Sequence, residues 1–229
     1  MIELSVNGIT LCYEVRGHGD PLILLHGNGE DHRIFSTKLL EPHFSCYLID
    51  TRGHGRSTRI AELHYREMAA DILEFIRRLH LDHVTLAGFS DGGIIGLLAA
   101  SQTDRISTLI ACGANAKPDG LILPFRMLNH VIYFLTRSPL FRLMIEEPDI
   151  KDEELRSITA RTLITAGQHD LIRKEETDHI ASSIRGAREI IVKRATHTSY
   201  VVHSNRLAEI ILQFTEKNGR NEGSCPYRN

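Results

Sequence analysis

Gly88-Phe89-Ser90-Asp91-Gly92-Gly93 has the spacing G-x-S-x-G, which places a serine between two glycines. Before it, His83 to Ala87 carries apolar residues at Val84 and Leu86, as a short strand would. After it, Ile94 to Ala100 is almost wholly apolar and free of proline, as a buried helix would be. A serine on such a strand-to-helix turn is lifted above the sheet, facing the positive end of the following helix. The turn needs small residues two positions to either side, and Gly88 and Gly92 supply them. This pattern implies nucleophilic attack by the Ser90 hydroxyl. A serine nucleophile needs a base, and the base needs an acid to orient it. In chain order the acid is expected first and a histidine after it. Asp170 closes Thr165-Ala166-Gly167-Gln168-His169-Asp170, just past an apolar strand. His197 falls between the last strand pattern and the last helix pattern. Ser90, Asp170 and His197 are therefore the candidate catalytic residues. His169 is the rival base, but it precedes Asp170 and breaks the order.

Acyl transfer also needs two N–H donors for the oxyanion. The backbone N–H groups of Asp91, after the nucleophile, and of Asn28, in His26-Gly27-Asn28-Gly29, are the candidates. The Asp91 carboxylate has two readings: a first-turn acid favoured by the helix dipole, or a partner for a cationic group on a substrate. His26 and His54 read as loop-bracing residues. The glycine-rich loops match neither G-x-G-x-x-G nor a P-loop. No set of histidines, cysteines and carboxylates has workable zinc spacing. No metal and no cofactor are expected.

These residues require an alternating frame to hold them. Strand patterns run over Ile2 to Val6, Thr10 to Val15, Pro21 to Leu25, Phe44 to Ile49, Val84 to Ala87, Ile106 to Ala111, Arg161 to Ala166 and Glu189 to Val192. Asn7-Gly8 predicts a tight hairpin between the first two. Helix spacing is clearest over His64 to Leu79, with weaker patterns over Asp31 to Leu40, Glu175 to Ile184 and Tyr200 to Lys217. Alternation of this kind predicts an α/β fold with a mainly parallel sheet. Residues 117–157 break it with a run of bulky apolar residues, predicting a lid over the site in which Phe125 and Phe134 contact substrate. The expected division is a core over 1–116 and 158–217, a lid over 117–157 and a mobile tail over 218–229.

The 229 residues suit one domain, and a net charge of −2 gives no reason to expect nucleic acid or an anionic membrane as partner. The first residues lack a signal-peptide pattern, and no stretch is apolar enough to span a bilayer. Cys12, Cys46, Cys112 and Cys225 have no paired or metal-like spacing. A cytoplasmic protein acting on a small molecule is expected, with the oligomeric state open.

Taken together, the motifs at 26–29, 50–57, 88–93, 167–170 and His197 resemble the α/β-hydrolase superfamily over nearly the whole chain. Ser-Asp-Gly-Gly followed by an aliphatic helix, then Gly113-Ala114-Asn115-Ala116, is similar to biphenyl-hydrolase-like esterases, with meta-cleavage C–C hydrolases as related neighbours. The resemblance implies an eight-stranded sheet with the second strand antiparallel and a lid after the sixth. It implies a serine hydrolase acting on a small carboxylic ester through an acyl-enzyme. C–C, thioester or lactone hydrolysis by the same residues is the first alternative, and a ligand-binding protein with little turnover is the second. The superfamily's dehalogenases and epoxide hydrolases carry aspartate at the nucleophile position, and Ser90 argues against both. The apolar segment is short for the family and lacks tryptophan, which implies an open pocket.

Overall fold

A computed structural model describes residues 1–216. Eight strands form one sheet in the order β1-β2-β4-β3-β5-β6-β7-β8. They span Ile2–Val6 (β1), Ile9–Arg16 (β2), Asp20–Leu25 (β3), Phe44–Asp50 (β4), Val84–Phe89 (β5), Ile106–Cys112 (β6), Arg161–His169 (β7) and Arg188–Thr196 (β8). β2 runs antiparallel to both its neighbours, and every pairing from β4 onward is parallel. The β1–β2 turn is tight because Asn7 (φ 42°) and Gly8 (φ 80°) both take positive φ, which sets Val6 opposite Ile9.

Side-chain alternation splits the core between the two faces of the sheet. Ile23 and Leu25 of β3 point to one face, and Leu22 and Leu24 to the other. On the first face lie α1 (Tyr65–Arg78), α2 (Asp91–Ala100) and α6 (Lys174–Ser183); on the second lies α7 (Asn205–Thr215). In α1 the predicted spacing is realised: Tyr65, Met68, Ile72 and Phe75 are all buried. α2 is buried on every side, as an all-round apolar helix must be.

Two weaker helix expectations are corrected. Asp31 to Leu40 holds only a short 3-10 turn, His32–Ile34, followed by turns. Its start is pinned elsewhere: the Asp31 carboxylate accepts the Arg33 N–H, and Asp50 accepts the His32 N–H at 2.9 Å. The last helix begins at Asn205, not at Tyr200, because the Ser204 hydroxyl caps it by accepting the Arg206 N–H. The tail expected over 218–229, like Cys225, lies outside the described residues.

Between β6 and β7 the chain forms three helices: α3 (Leu123–Thr136), α4 (Pro139–Glu146) and α5 (Asp152–Ser157). Prolines in the first turns of α3 and α4 mark their starts. The segment is tied to the rest of the molecule by polar links. Asn28 Nδ2 donates to the Leu140 carbonyl at 3.2 Å, and the Glu147 carboxylate accepts from His64 Nδ1 at 2.6 Å and from the Tyr65 N–H at 3.0 Å.

Candidate active site

Ser90 sits between β5 and α2 with φ 53° and ψ −114°, outside the conformations that a non-glycine residue usually adopts. The surrounding contacts over-determine this strain. A Cβ on Gly88 would lie 2.0 Å from the Gly92 carbonyl oxygen, and one on Gly92 would lie 2.2 Å from that of Leu25. Strand and helix can meet this closely only because both positions are glycine. The Ser90 N–H then donates to the Cys112 carbonyl at 2.7 Å, which fixes the turn against the end of β6.

The other two candidates come from neighbouring strand ends. Asp170 follows β7, where Oδ2 accepts the Gly167 N–H at 2.7 Å and Oδ1 accepts the Ile172 N–H at 3.0 Å. His197 follows β8. Its Nδ1 stands 2.6 Å from Asp170 Oδ1, and its Nε2 stands 3.1 Å from Ser90 Oγ. With Nδ1–H donating to the carboxylate, Nε2 is left as an acceptor facing the hydroxyl. Burial is the largest influence on the Asp170 carboxyl and pushes it up. The hydrogen bonds and charge of His197, with the Ile172 and Gly167 N–H groups, more than offset this and hold it below the ordinary aspartate range. It therefore remains an anion beside the imidazole.

Two further residues shape the histidine's seat. Gly113 has φ 60°, and a Cβ there would lie 2.8 Å from His197 Cε1. The Phe89 ring lies 4.9 Å from the imidazole. His169 is exposed at the end of β7, paired with Thr196 across the strands, while His197 occupies the place beside Ser90.

Asn28 and Asp91 flank Ser90 in the same cavity and are linked to each other: Asn28 Nδ2 donates to Asp91 Oδ2 at 2.9 Å. The Tyr65 hydroxyl donates to Asp91 Oδ1 at 2.8 Å. Both Asp91 oxygens are thus engaged by internal donors, and the carboxylate braces the two turns that carry the oxyanion candidates. Burial pushes the Asp91 carboxyl up, while Tyr65 and Asn28 oppose that rise. His26 braces the same loop. Its Nδ1–H donates to the Gly27 carbonyl at 2.8 Å, and its Nε2 accepts the Thr51 N–H at 3.0 Å.

The cavity over Ser90 has a volume of about 340 Å³, with Phe125, Ile132, Phe141 and Met144 as its apolar wall. A larger cavity of about 530 Å³, lined by Asp31, Arg33 and Arg56 among others, contains neither Ser90 nor His197. Phe125 lies where the sequence predicts, but Phe134 does not. It is 69% exposed, with the Arg137 guanidinium 5.4 Å from its ring. Helical phase is the reason: Phe125, Asn129 and Ile132 share the inner face of α3, and Phe134 lies two residues beyond that face. Tyr65, Asn115, Asn129, Phe141 and Met144 line the cavity without having been picked out as site residues. Asn129 had a readable signal, since a polar residue within a bulky apolar helix is costly to bury without a purpose.

Among the described residues, Asp31, His32 and Asp50 bring potential metal-ligand atoms within 4.8 Å of one another. These atoms already serve the loops. Asp50 accepts from the His32 N–H and Nδ1 and from the Arg56 N–H, and Asp31 binds Arg33.

Comparison with known proteins identifies the family. Residues 20–143 match the family model described as the alpha/beta hydrolase fold. The serine hydrolase BPHL of Homo sapiens is 28% identical over 250 residues, covering 92% of this chain and 86% of that protein. The AB hydrolase superfamily protein YisY of Bacillus subtilis is 37% identical over 114 residues, covering 47% of this chain and 42% of that protein. Among solved structures, the esterase EaEST of Exiguobacterium antarcticum superposes with a TM-score of 0.80 at 23% identity, covering 93% of this chain and 97% of that one. The chain belongs to the α/β-hydrolase family, and it is a hydrolase.

Proposed function

We propose that the protein is a serine hydrolase that cleaves a small carboxylic ester through an acyl-enzyme. The observation that carries this reading is the unbroken chain Ser90 Oγ to His197 Nε2 at 3.1 Å and His197 Nδ1 to Asp170 Oδ1 at 2.6 Å, opening into a mostly apolar cavity. Ser90 attacks the acyl carbon while His197 Nε2 takes its proton. Asp170 holds the tautomer and stabilises the imidazolium. The Asn28 and Asp91 N–H groups receive the oxyanion, held in place by the side-chain bridge between them. His197 passes its proton to the leaving alcohol. Water then enters by the same route and attacks the acyl carbon as His197 takes its proton; His197 returns that proton to Ser90 Oγ as the Ser90–acyl bond breaks and the acid leaves. The esterases among the chain's relatives, such as the pimeloyl-[acyl-carrier protein] methyl ester esterase of Vibrio vulnificus, support the choice of an ester.

In this reading residues 117–157 form the roof of the pocket. α3 and α4 contribute Phe125, Ile132, Phe141 and Met144 to the cavity, while the three catalytic residues all stand on strand ends outside the segment. Lactone, thioester or C–C hydrolysis would use the same groups. A panel of p-nitrophenyl esters, thioesters and lactones tests the choice. The expected result is turnover of short esters that is lost in Ser90→Ala. Inert esters beside rapidly hydrolysed lactones or thioesters would overturn it.

A further inference from the structure

The polar side chains on the cavity wall are engaged almost throughout. Asp91 takes Tyr65 and Asn28, and Glu30 Oε2 accepts the Gly27 N–H at 3.0 Å. Glu147 takes His64 and the Tyr65 N–H, and Asn115 Nδ2 donates to the Lys117 carbonyl at 2.8 Å. Asn129 is different. It is 1% exposed, its Oδ1 has no hydrogen-bond partner, and its Nδ2 meets only the Met144 sulfur at 3.9 Å. A thioether is a weak acceptor, so the whole amide is poorly satisfied. An unpaired polar atom in a buried place forfeits its hydration without return, and native structures seldom keep one unless something completes it. Asn129 stands on the inner face of α3, one turn from Phe125 and one turn from Ile132, where that helix otherwise gives the cavity apolar side chains. The same helix leaves Leu123, Met127 and Leu135 exposed, so nothing about its own packing requires an amide inside.

We infer that Asn129 is a specificity-determining residue: its Oδ1 accepts a hydrogen bond from a neutral donor, a hydroxyl, carried on the substrate's chain away from the scissile bond. The natural substrate is then a hydroxy-substituted ester and not a plain alkyl one. This rests on the ester reading for the identity of the scissile bond, but the pairing itself concerns only what fills the cavity. Selectivity of this kind is strong because an analogue without the donor leaves the buried amide unpaired, whereas an apolar wall alone distinguishes chains weakly.

The test uses p-nitrophenyl alkylphosphonates, which inactivate a reactive serine without requiring turnover. Chains of graded length are compared in pairs ending in a hydroxyl or in a methyl group. In the wild type, at least one length should favour the hydroxyl by about tenfold or more in inactivation rate. In Asn129→Leu that ratio should fall to about one, and Asn129→Asp, which keeps an acceptor, should retain a preference. If Asn129→Leu does not fold, Asn129→Ala takes its place. Wild type without hydroxyl preference at any length, or a preference that survives loss of the acceptor, would overturn the inference. The outcomes also separate it from the ester reading. A hydroxyl preference in inactivation with no ester turned over sinks only that reading. Ester turnover with no hydroxyl preference sinks only this one.

Discussion

The Ser90 turn concentrates several requirements into a few atoms: a strained backbone, two glycines with no room for a Cβ, and a hydroxyl 3.1 Å from His197 Nε2. His26 carries the loop opposite, and its protonation state follows from its bonds. Both ring nitrogens are used by the neutral form, and burial as the main cause, with His54 nearby, pushes it down to about 4. The sign follows directly. Its folded value lies below the ordinary histidine value of 6.5, so the unfolded chain binds the proton first. Stability is therefore full above that value and is lost as pH falls toward 4, by about 3 kcal/mol from this residue. Urea unfolding at pH 7 and pH 4.5 should show a smaller pH-dependent loss in His26→Gln than in the wild type. Equal losses in the two proteins would remove His26 from the account. Gly113→Ala is predicted to displace His197, because its Cβ would meet the imidazole edge at 2.8 Å, and to cost some stability, because the residue is at positive φ. Its kcat should fall by about 10²-fold or more, as for other small misplacements of a catalytic group. Circular dichroism should report a folded protein, and unchanged kcat would contradict the described seat.

At the scale of elements, α3 shows where periodicity in the sequence stops being informative. The run from Leu121 to Leu135 is apolar on both sides, so its pattern cannot say which side faces inward. The structure answers by phase, turning Phe125 to the cavity and leaving Phe134 exposed. Phe125→Ala should therefore change the ratio of kcat/KM between short and long esters, by an amount worth about 1–3 kcal/mol of discrimination. Phe134→Ala should leave that ratio unchanged. Equal effects from both would show that the helix is turned differently. α1 is anchored by charge as well as by packing. Arg52 binds Asp71 through Nε at 2.6 Å and Nη2 at 2.8 Å, with Asp71 only 1% exposed. Removing one partner of such a pair strands the other charge, so Arg52→Ala should cost about 3–5 kcal/mol. In a protein of this size that lowers the melting temperature by on the order of 10 °C. A shift within a degree or two would mean that the pair is solvated.

Across the whole molecule, the sheet was largely legible because burial on both faces leaves continuous apolar runs, as in Pro21 to Leu25, and because Asn7-Gly8 permits little besides a hairpin. The meeting of the three candidate catalytic residues has a related reason. Ser90, Asp170 and His197 each follow a strand, and parallel strands present their C-terminal ends on one edge. What the sequence concealed depends on contacts made at long range. The 31–40 segment has helical spacing, but Asp50 holds its start in another shape. Asn129 stands out in sequence as a polar residue in a bulky apolar run, but only the folded cavity reveals that its amide lacks a partner. No helix among the described residues is long and apolar enough to cross a membrane.

The central claim is that Ser90, activated by His197 and Asp170, is the attacking group. Fluorophosphonate labelling followed by peptide mass spectrometry tests it most directly. The wild type should carry one adduct, on Ser90, formed rapidly. His197→Ala should label more slowly by orders of magnitude, Asp170→Asn should fall between the two, and His169→Ala should label as the wild type does. An adduct on another residue, or labelling that survives His197→Ala and fails in His169→Ala, would contradict the account.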